Sequence, residues 1–318
     1  MSRLRLVFFG TPEFAVPTLR ELLAAGHDVG AVVTQPDRPR GRGQQMSPGP
    51  IKAFAGANGL RVLQPDRMRD EGFLSALADL APDLGVVAAY GKILPSPVLD
   101  APRLGLINVH ASLLPRWRGA SPVHRAVMAG DAETGVSIMR VVQALDAGGV
   151  FAKEARPIGP NETSEEVERD LAERGARLIL PVVEALASGT AEAVPQDESL
   201  VTYAPRLTRE DGAVDWGNPA DAIHNQVRGL HPWPHAVTTL DGARVILLRT
   251  ALDPAASYDA RGARPGEVLA VTRQAITVLA GDGRPIELLH LQAEGRRALG
   301  ARDFAAGARI GPGARFGA

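Results

Sequence analysis

The chain has 318 residues, 45% of them hydrophobic, and a formal net charge of −1. This length predicts about two domains, each able to bury its own core, and the near-zero charge argues against binding nucleic acid through overall positive charge. The chain has no cysteine, which excludes disulfides, thiolate catalysis and cysteine-ligated zinc.

The N-terminal half alternates strand and helix patterns. Strands are predicted at residues 4–9, 28–34, 84–90, 105–110 and 134–142, with an amphipathic helical stretch at 14–25 after the first. Runs of Val, Ile and Leu that alternate with helices predict a Rossmann-like α/β domain with a mostly parallel sheet covered on both faces. In such a sheet, ligands bind beyond the carboxyl ends of the strands.

The second half of the chain changes character. A long helix is predicted over residues 163–189, because Thr163 and Glu166 form a capping box, and Pro181 is expected to bend it. Residues 190–207 lack periodicity and predict a linker. A short helix near 219–229 and five strands between 235 and 291, some separated by turns such as Asp241-Gly242, predict a small OB-like β-barrel. The expected division is therefore 1–189, 190–207 and 208–318.

Two features bear on location. The first strand begins so close to Met1 that a signal peptide is not expected, and no apolar run approaches the roughly 20 residues of a membrane span. Together with the absence of cysteine, they predict a cytoplasmic protein.

Several common site motifs are missing. The segment "GTPEFA" after the first strand lacks the later glycines of a dinucleotide-binding turn and the Gly-Lys-Ser/Thr of a P-loop. His231 and His235 have the spacing of zinc ligands on a helix, but Pro232 and Pro234 oppose that helix, so a structural turn is expected and no metal site. No G-x-S-x-G elbow occurs.

Three polar residues remain at the predicted strand ends. Asn108 and His110 lie two residues apart in the strand pattern "GLINVH", so their side chains are expected on one face. Asp146, in "LDAGG", follows the next predicted strand and is expected at the same rim. Taken alone, Asn108 and His110 could equally be polar groups that hold the following loop. Without a serine or cysteine nucleophile, the set of three favours transfer of an acyl group to a nucleophile that the substrate supplies.

At these residues the chain resembles a known family. "NVHASLLPRWRGASP" is similar to the core of the folate-dependent formyltransferases, in particular those that act on the methionine of initiator tRNA. Further matching segments run in order along essentially the whole chain, including "FFGTPEFA", "TQPDRPRGRG", "VVAAYGKILP", "LDAGG", "QDESLVTYAPRLTREDGAVDW" and "HPWP".

The resemblance implies an activity and its residues. The enzyme would move the formyl group of 10-formyltetrahydrofolate to the methionyl amino group of initiator tRNA, without a metal and as a monomer. Asn108 and His110 would donate to the oxyanion, with Asp146 favouring the charged imidazolium and steering the proton of the amine. The folate would contact two segments that contain Ser112, Leu113, Leu114, Pro115, Ala88, Tyr90, Gly91, Ile93 and Leu94.

The resemblance also assigns a tRNA-binding loop and domain. Residues 34–50 form a connection too long for a routine strand-to-helix turn, and they include Arg38, Arg40 and Arg42. In the family this loop reaches the tRNA acceptor end, where arginine can contact phosphate and stack on bases, and Arg42 is the expected main contact. Residues 208–318 would be the C-terminal tRNA-binding barrel.

Two other functions stay open on the sequence alone. A formyltransferase for a small amine, such as glycinamide ribonucleotide or an amino sugar, would use the same three residues, although the arginine loop and the C-terminal region argue against it. A non-catalytic RNA-binding protein on this scaffold is a second alternative, disfavoured by the presence of Asn108, His110 and Asp146 together.

Overall fold

The computed structural model of the protein describes residues 3–40, 45–253 and 262–317, with only the backbone described at 38–40, 45 and 46. The chain divides into two compact units that alternate along the sequence. The first comprises Met1–Pro122, Thr134–Arg156 and Glu168–Ala204, and the second comprises Val123–Glu133, Pro157–Val167 and Pro205–Ala318.

The N-terminal elements alternate between strands and helices, as predicted. In chain order they are β1 (Arg5–Gly10), α1 (Val16–Ala24), β2 (Asp28–Val33), β3 (Arg38–Arg40), β4 (Gln45–Ser47), α2 (Pro50–Ala57), β5 (Val62–Leu63), α3 (Glu71–Leu80), β6 (Leu84–Ala88), α4 (Ser96–Leu99), β7 (Leu106–His110), β8 (Arg118–Gly119), α5 (Pro122–Ala129), β9 (Glu133–Arg140), β10 (Val150–Pro157) and α6 (Ser164–Ser188).

Seven of these strands form one mostly parallel sheet, in the order β10-β9-β7-β6-β1-β2-β5. The neighbours from β5 through β2, β1 and β6 to β7 pair in parallel, whereas β7 and β9 are antiparallel. The expected Rossmann-like α/β fold is confirmed, with a change of strand direction beside β7.

Both faces of the sheet are covered, which explains the unbroken apolar strand sequences. On one face, Val7, Phe9 and Val87 pack with Phe73 and Leu77 of α3. On the other face, a side chain at Gly175 of α6 would meet Val109 and Val136, so the glycine allows α6 to approach closely. The carboxyl ends of β1, β6 and β7 are in register at one edge, where Gly10 pairs with Ala88 and Ala88 with Val109.

The second half adds a short strand to the first unit and a sheet to the second. The elements are β11 (Tyr203–Ala204), α7 (Ala220–Gly229), β12 (Ala236–Leu240), β13 (Ala243–Ala251), β14 (Val268–Val271), β15 (Ile276–Leu279), β16 (Pro285–Ala293), β17 (Leu299–Gly300) and α8 (Ala301–Ala308). Short 3-10 helices occur at Glu13–Ala15, Glu198–Leu200 and Glu210–Gly212.

The sheet of the second unit is antiparallel, in the order β12-β13-β16-β15-β14. The predicted turn between β12 and β13 has φ of 50° at Asp241 and 74° at Gly242, the left-handed pair that a tight hairpin requires. Residues 313–317 join the two edge strands: Gly317 N donates to Thr239 O of β12, and Val268 N of β14 donates to Ala314 O. This connection closes the sheet, as expected for a small barrel.

The start of α6 has the predicted capping box. Thr163 N donates to Glu166 Oε2 at 2.7 Å, and Glu166 N donates to Thr163 Oγ1 at 3.3 Å. The helix continues without interruption through Pro181. Across the described ranges, no helix has both the length and the apolar character needed to cross a membrane.

Candidate active site

Asn108 and His110 occupy the end of β7, at the edge of the sheet where the parallel strands finish. Asn108 lies between Val87 of β6 and Met139 of β9, and His110 pairs with Ser137. Asn108 is half-buried, whereas His110 is only 5% exposed. Among the described residues, the Asn108 side chain has no hydrogen-bond partner, so its amide is available to a ligand.

The two ring nitrogens of His110 have different surroundings. Nε2 lies 3.0 Å from the carbonyl oxygen of Trp117. Because a carbonyl can only accept, Nε2 carries the hydrogen of this bond. Nδ1 lies 3.7 Å from Oδ2 of Asp146, which is beyond hydrogen-bonding distance but within ion-pair range. The nitrogen that faces the carboxylate is therefore Nδ1, and it can donate only if the ring is an imidazolium.

Asp146 reaches His110 by a different route from the one expected. The sequence interpretation placed it at the carboxyl end of the next strand, on the same rim as Asn108 and His110. However, β9 is antiparallel to β7 and ends at the opposite edge of the sheet, where Arg140 pairs with Ile107. Leu106 lies on the same face of β7 as Asn108 and His110, because the three alternate along the strand. Val141, just after β9, packs against the apolar cluster that contains Leu106, and its main-chain nitrogen donates to Leu106 O. The loop between β9 and β10 thus folds back over the face that Asn108 and His110 share.

The Asp146 carboxylate is fixed by main-chain contacts. Oδ2 accepts a hydrogen bond of 2.8 Å from Gly119 N, and the side chain is 17% exposed. Its backbone is left-handed, with φ of 46°. Trp117 and Ala89, in the other two loops at this edge, are also non-glycine residues with positive φ, of 62° and 47°. Such strained residues concentrate at functional sites, where the surrounding structure holds them in place.

The segment after His110, expected to contact folate, is rigidly held. Ser112 and Leu114 are buried, and Ser137 binds both by donating to Ser112 O at 2.7 Å and accepting from Leu114 N at 3.1 Å. Lys153 Nζ donates to Leu114 O. Leu113 and Pro115 are half-buried, so these two side chains can present a surface to a ligand.

The other segment expected to contact folate, residues 88–94, contains both buried and exposed residues. Ala88 and Leu94 are buried, and Tyr90 is buried against Phe9, with its hydroxyl on Met68 Sδ at 3.1 Å. Burial raises the pKa of Tyr90 to about 12. Two further residues are accessible, Gly91 and Ile93, the latter 87% exposed.

The arginine loop is partly a hairpin. β3 pairs antiparallel with β4, with Arg38 opposite Ser47 and Arg40 opposite Gln45. Arg42 lies outside the described residues, and of Arg38 and Arg40 only the backbone is described.

Three residues near the centre were missed by the sequence interpretation. Gly119 binds the Asp146 carboxylate, Gln196 binds the Asp146 carbonyl oxygen at 2.7 Å, and Arg118 binds Gln196 Oε1 at 3.0 Å. All three fall within segments that carry the family resemblance, but Gln196 lies in a region predicted to be a linker. Gly119 and Gln196 bind the Asp146 turn through main-chain atoms, whereas Arg118 binds the Gln196 side chain, and contacts of either kind leave no periodic signal in the sequence.

The arrangement offers an amide donor, an imidazole and a carboxylate, and none of the three is a strong nucleophile. In the part of the chain that the structure describes, no group of three His, Asp or Glu residues is placed to hold a metal ion. His231 and His235 lie in a turn and not on a helix, with ring centroids 5.4 Å apart. The set of three can therefore stabilise negative charge and move a proton during attack by an external nucleophile.

Both halves of the chain match family models. The family model described as formyl transferase matches residues 4–183, and the one described as formyl transferase, C-terminal domain, matches residues 206–309. The methionyl-tRNA formyltransferase of Moorella thermoacetica is 47% identical over 315 residues, covering 99% of this chain and 99% of that protein. That of Geobacter sulfurreducens is 46% identical over 317 residues, covering 100% of this chain and 98% of that protein.

A solved structure shares the fold. The crystal structure of WlaRD, a sugar 3N-formyl transferase in the presence of dTDP and 5-N-formyl-THF, has a TM-score of 0.68 at 15% identity. It covers 93% of this chain and 100% of that chain. At this identity the likeness concerns the fold alone.

Proposed function

Since the chain belongs to the formyl transferase family over both of its domains, we propose that it transfers the formyl group of 10-formyltetrahydrofolate to the methionyl amino group of initiator Met-tRNA. The product, formyl-Met-tRNA, serves translation initiation. Full-length relatives that are 46–47% identical and named for this activity support the substrate. The formyl donor is a co-substrate.

The observation that supports the catalytic set is the approach of His110 and Asp146, 3.7 Å apart, on the face that also carries Asn108. The amine attacks the formyl carbon, a C–N bond forms, and the carbonyl oxygen takes up negative charge. The Asn108 amide, which has no partner among the described residues, donates to that oxygen.

His110 and Asp146 complete the transfer. With Nε2–H donating to Trp117 O, the imidazolium form supplies a second donor at Nδ1. Asp146 accepts the proton that the attacking amine loses, directly or through water, and the proton passes to the folate nitrogen as the old C–N bond breaks. The oxyanion then collapses to the formyl group of the product.

The folate lies between the two segments that follow β6 and β7. Gly91, Ile93, Leu113 and Pro115 are accessible enough to contact it. Ala88, Tyr90, Leu94, Ser112 and Leu114 are buried, so they contribute through main-chain groups or by holding the loops.

The tRNA contacts both domains. Arg38, Arg40 and Arg42 bind the acceptor end, with Arg42 the main contact. On the C-terminal domain, Arg296, Arg297 and Arg302 lie within seven positions, are exposed and form no ion pair among the described residues. They suit phosphate contacts, whereas Arg244 is paired with Glu294.

The organisation and setting follow from the same assignment. Residues 1–189 form the catalytic domain together with the bound segment 194–204, residues 208–318 form the tRNA-binding barrel, and the protein acts as a monomer in the cytoplasm.

The decisive experiment supplies 10-formyltetrahydrofolate with charged initiator tRNA and measures formyl-methionine. Glycinamide ribonucleotide or an amino sugar replaces the tRNA in the control arm. If the small amine is formylated and the charged tRNA is not, the assignment of tRNA as the substrate is rejected. If the protein binds RNA but formylates no amine, the assignment as an enzyme is rejected.

The site is tested by Asn108→Ala and Asp146→Ala. Each should retain the fold by circular dichroism and lose at least about 10²-fold in kcat, the usual cost of one preorganised donor. Near-normal turnover would remove that residue from the mechanism.

The tRNA surface is tested by Arg296→Ala/Arg297→Ala. The dependence of log affinity on log salt should become shallower by about one unit for each phosphate that the variant no longer binds. An unchanged slope would remove this surface from the interface.

A further inference from the structure

Residues 194–204, which the sequence presents as part of a linker, are bound to the loops that support His110 and Asp146. Val194 forms an antiparallel bridge with Val150. Thr202 accepts hydrogen bonds of 2.9 Å from Trp117 N through Oγ1 and from Arg118 N through its carbonyl oxygen. β11 then pairs in parallel with β8. This segment therefore belongs structurally to the catalytic centre.

Gln196 makes the most direct contact with that centre. Its amide nitrogen donates to the carbonyl oxygens of Asp146 and Gly148, at 2.7 and 2.8 Å. Its side-chain oxygen accepts from Arg118 Nε at 3.0 Å. The side chain at position 196 thus donates two hydrogen bonds and accepts one. A glutamine can do this, whereas a glutamate has no donor when ionised and a lysine has no acceptor.

Arg118 fixes the orientation of the Gln196 amide. The guanidinium is 4% exposed and forms a two-point pair with Glu198, at 3.2 and 2.8 Å. Because a guanidinium can only donate, the Gln196 oxygen must face it, and the NH₂ group is thereby directed at the two carbonyl oxygens.

The Asp146 backbone gains from this support. Its φ of 46° is left-handed, a conformation that aspartate tolerates better than most residues but that still costs free energy relative to the right-handed region, so contacts that hold the turn favour it. Gln196 binds the carbonyl of Asp146 itself and that of Gly148 two residues later. If the turn relaxed, the carboxylate would leave both Gly119 N and the His110 ring.

We propose that Gln196 is a positioning residue for formyl transfer, which fixes the left-handed turn at Asp146 by holding the carbonyl oxygens of Asp146 and Gly148. This inference rests on the proposed catalytic role of Asp146. The segment before β11 is then part of the catalytic machinery. The proposal predicts that the rate falls when residue 196 can no longer donate hydrogen bonds to these two carbonyl oxygens.

Gln196→Glu separates positioning from simple attachment. The glutamate has the same shape and can pair with Arg118, so the segment stays attached, but its carboxylate cannot donate to either carbonyl. Gln196→Glu and Gln196→Ala should each lower kcat by about 10- to 100-fold, because a displacement of about 1 Å is sufficient for such a loss. The KM for 10-formyltetrahydrofolate should stay unchanged. Wild-type kcat in Gln196→Glu would overturn the proposal.

The chain offers a matched control in Gln226. Its amide nitrogen also donates to two carbonyl oxygens, those of Asp211 and Ala213, both at 2.9 Å. Gln226→Ala removes the same kind of clamp from the second unit and should lower the Tm without lowering kcat. An equal loss of kcat in Gln226→Ala would show a general effect and would also overturn the proposal.

A double variant distinguishes this proposal from the proposed function. In an Asp146→Ala background, Gln196→Ala should lower the residual rate no further, because the group that it positions is gone. A full additional loss there would contradict positioning through Asp146. If Asp146→Ala alone keeps normal turnover, the proposed catalytic set fails. If Asp146→Ala is inactive while Gln196→Glu is fully active, only the positioning role fails.

Discussion

Gly119 is the residue at which β8, β11 and Asp146 meet, and its replacement gives a quantitative test of the centre. Gly119 N donates to Asp146 Oδ2 at 2.8 Å. Its φ of 129° lies in a region that L residues rarely adopt. A Cβ added here would lie 2.6 Å from the carbonyl oxygen of Ala204 and 3.2 Å from its carbonyl carbon.

The cost of Gly119→Ala has two sources. The backbone conformation costs an alanine about 1–3 kcal/mol. The carbonyl that would have to move also accepts hydrogen bonds from Ala120 N at 2.9 Å and Ser121 N at 3.3 Å. Each of these is worth about 0.5–1.5 kcal/mol net. We therefore expect a loss of stability between about 2 and 6 kcal/mol.

Activity should fall as well, because relief of the clash moves Gly119 N away from the carboxylate. A loss of at least about 10-fold in kcat is expected for the protein that remains folded. Stability is measured by urea unfolding, and kcat by formyl-Met-tRNA formation at a temperature where the variant is fully folded.

Gly56→Ala is the matched control. Gly56 lies in α2, has no positive φ, and a Cβ there would meet nothing within 4 Å. This variant should match or slightly exceed the wild type in stability, by up to about 1 kcal/mol, with full kcat. If Gly119→Ala behaved like Gly56→Ala in both measurements, the assignment of Gly119 as a close-contact residue beside Asp146 would be refuted.

Two further predictions concern stability and pH. Burial, with Arg125 adding to it, lowers the pKa of His124 from 6.5 to about 4. Between pH 6.5 and 4, His124 is therefore protonated in the unfolded chain but neutral in the folded protein. The free energy of unfolding falls by up to about 3 kcal/mol as the pH drops through this range. His124→Gln should flatten this part of a urea-unfolding series, and an unchanged slope would contradict the cause. The Thr163 backbone N–H, with Arg249, lowers the pKa of Glu166 from 4.5 to about 2. The ionised Glu166 therefore stabilises the folded protein above pH 4.5, and this stabilisation is lost as the pH falls towards 2. Glu166→Gln should lower stability at neutral pH. Its stability should also fall less steeply with acidification than that of the wild type, as measured by circular dichroism. A steeper acid limb would reverse the sign of this argument.

Elements with a regular pattern were predictable from the sequence. β1, β2, β6 and β7 fall close to their predicted positions because each is a short run rich in Val, Ile, Leu or Phe, as a parallel sheet covered by helices requires. The hairpin between β12 and β13 was predictable because Asp241 and Gly242 tolerate left-handed backbone.

The direction of β9 was not predictable in the same way. Apolar periodicity gives the face of a residue and carries no information about whether a strand runs parallel or antiparallel to its neighbour. The pairing of His110 with Ser137 and of Ile107 with Arg140 shows an antiparallel strand. Asp146 consequently reaches His110 through a loop that folds back, and not from a shared strand end.

The fixed conformation of residues 190–204 could not be predicted from the sequence, for a different reason. The segment is held by side chains such as Gln196 and Thr202 that bind main-chain groups of other loops. Hydrogen bonds of this kind follow neither the helical nor the strand period, so the sequence predicts a linker where the structure has an anchored segment.

These contacts explain how two side chains from one strand and a third from a loop can form the proposed centre. Of the proposed set, Asn108 and His110 alone lie on a regular strand, whereas Asp146 lies on a loop with a left-handed backbone. A loop carboxylate stabilises a transition state only if its position is fixed before the reaction, since any movement during the reaction adds to the barrier. The main-chain groups of Gly119 and Trp117 and the side chain of Gln196 supply that rigidity. Substitutions at Gly119 and Gln196 should therefore reduce the rate although neither residue is proposed to contact the formyl group, because both hold the Asp146 carboxylate in position.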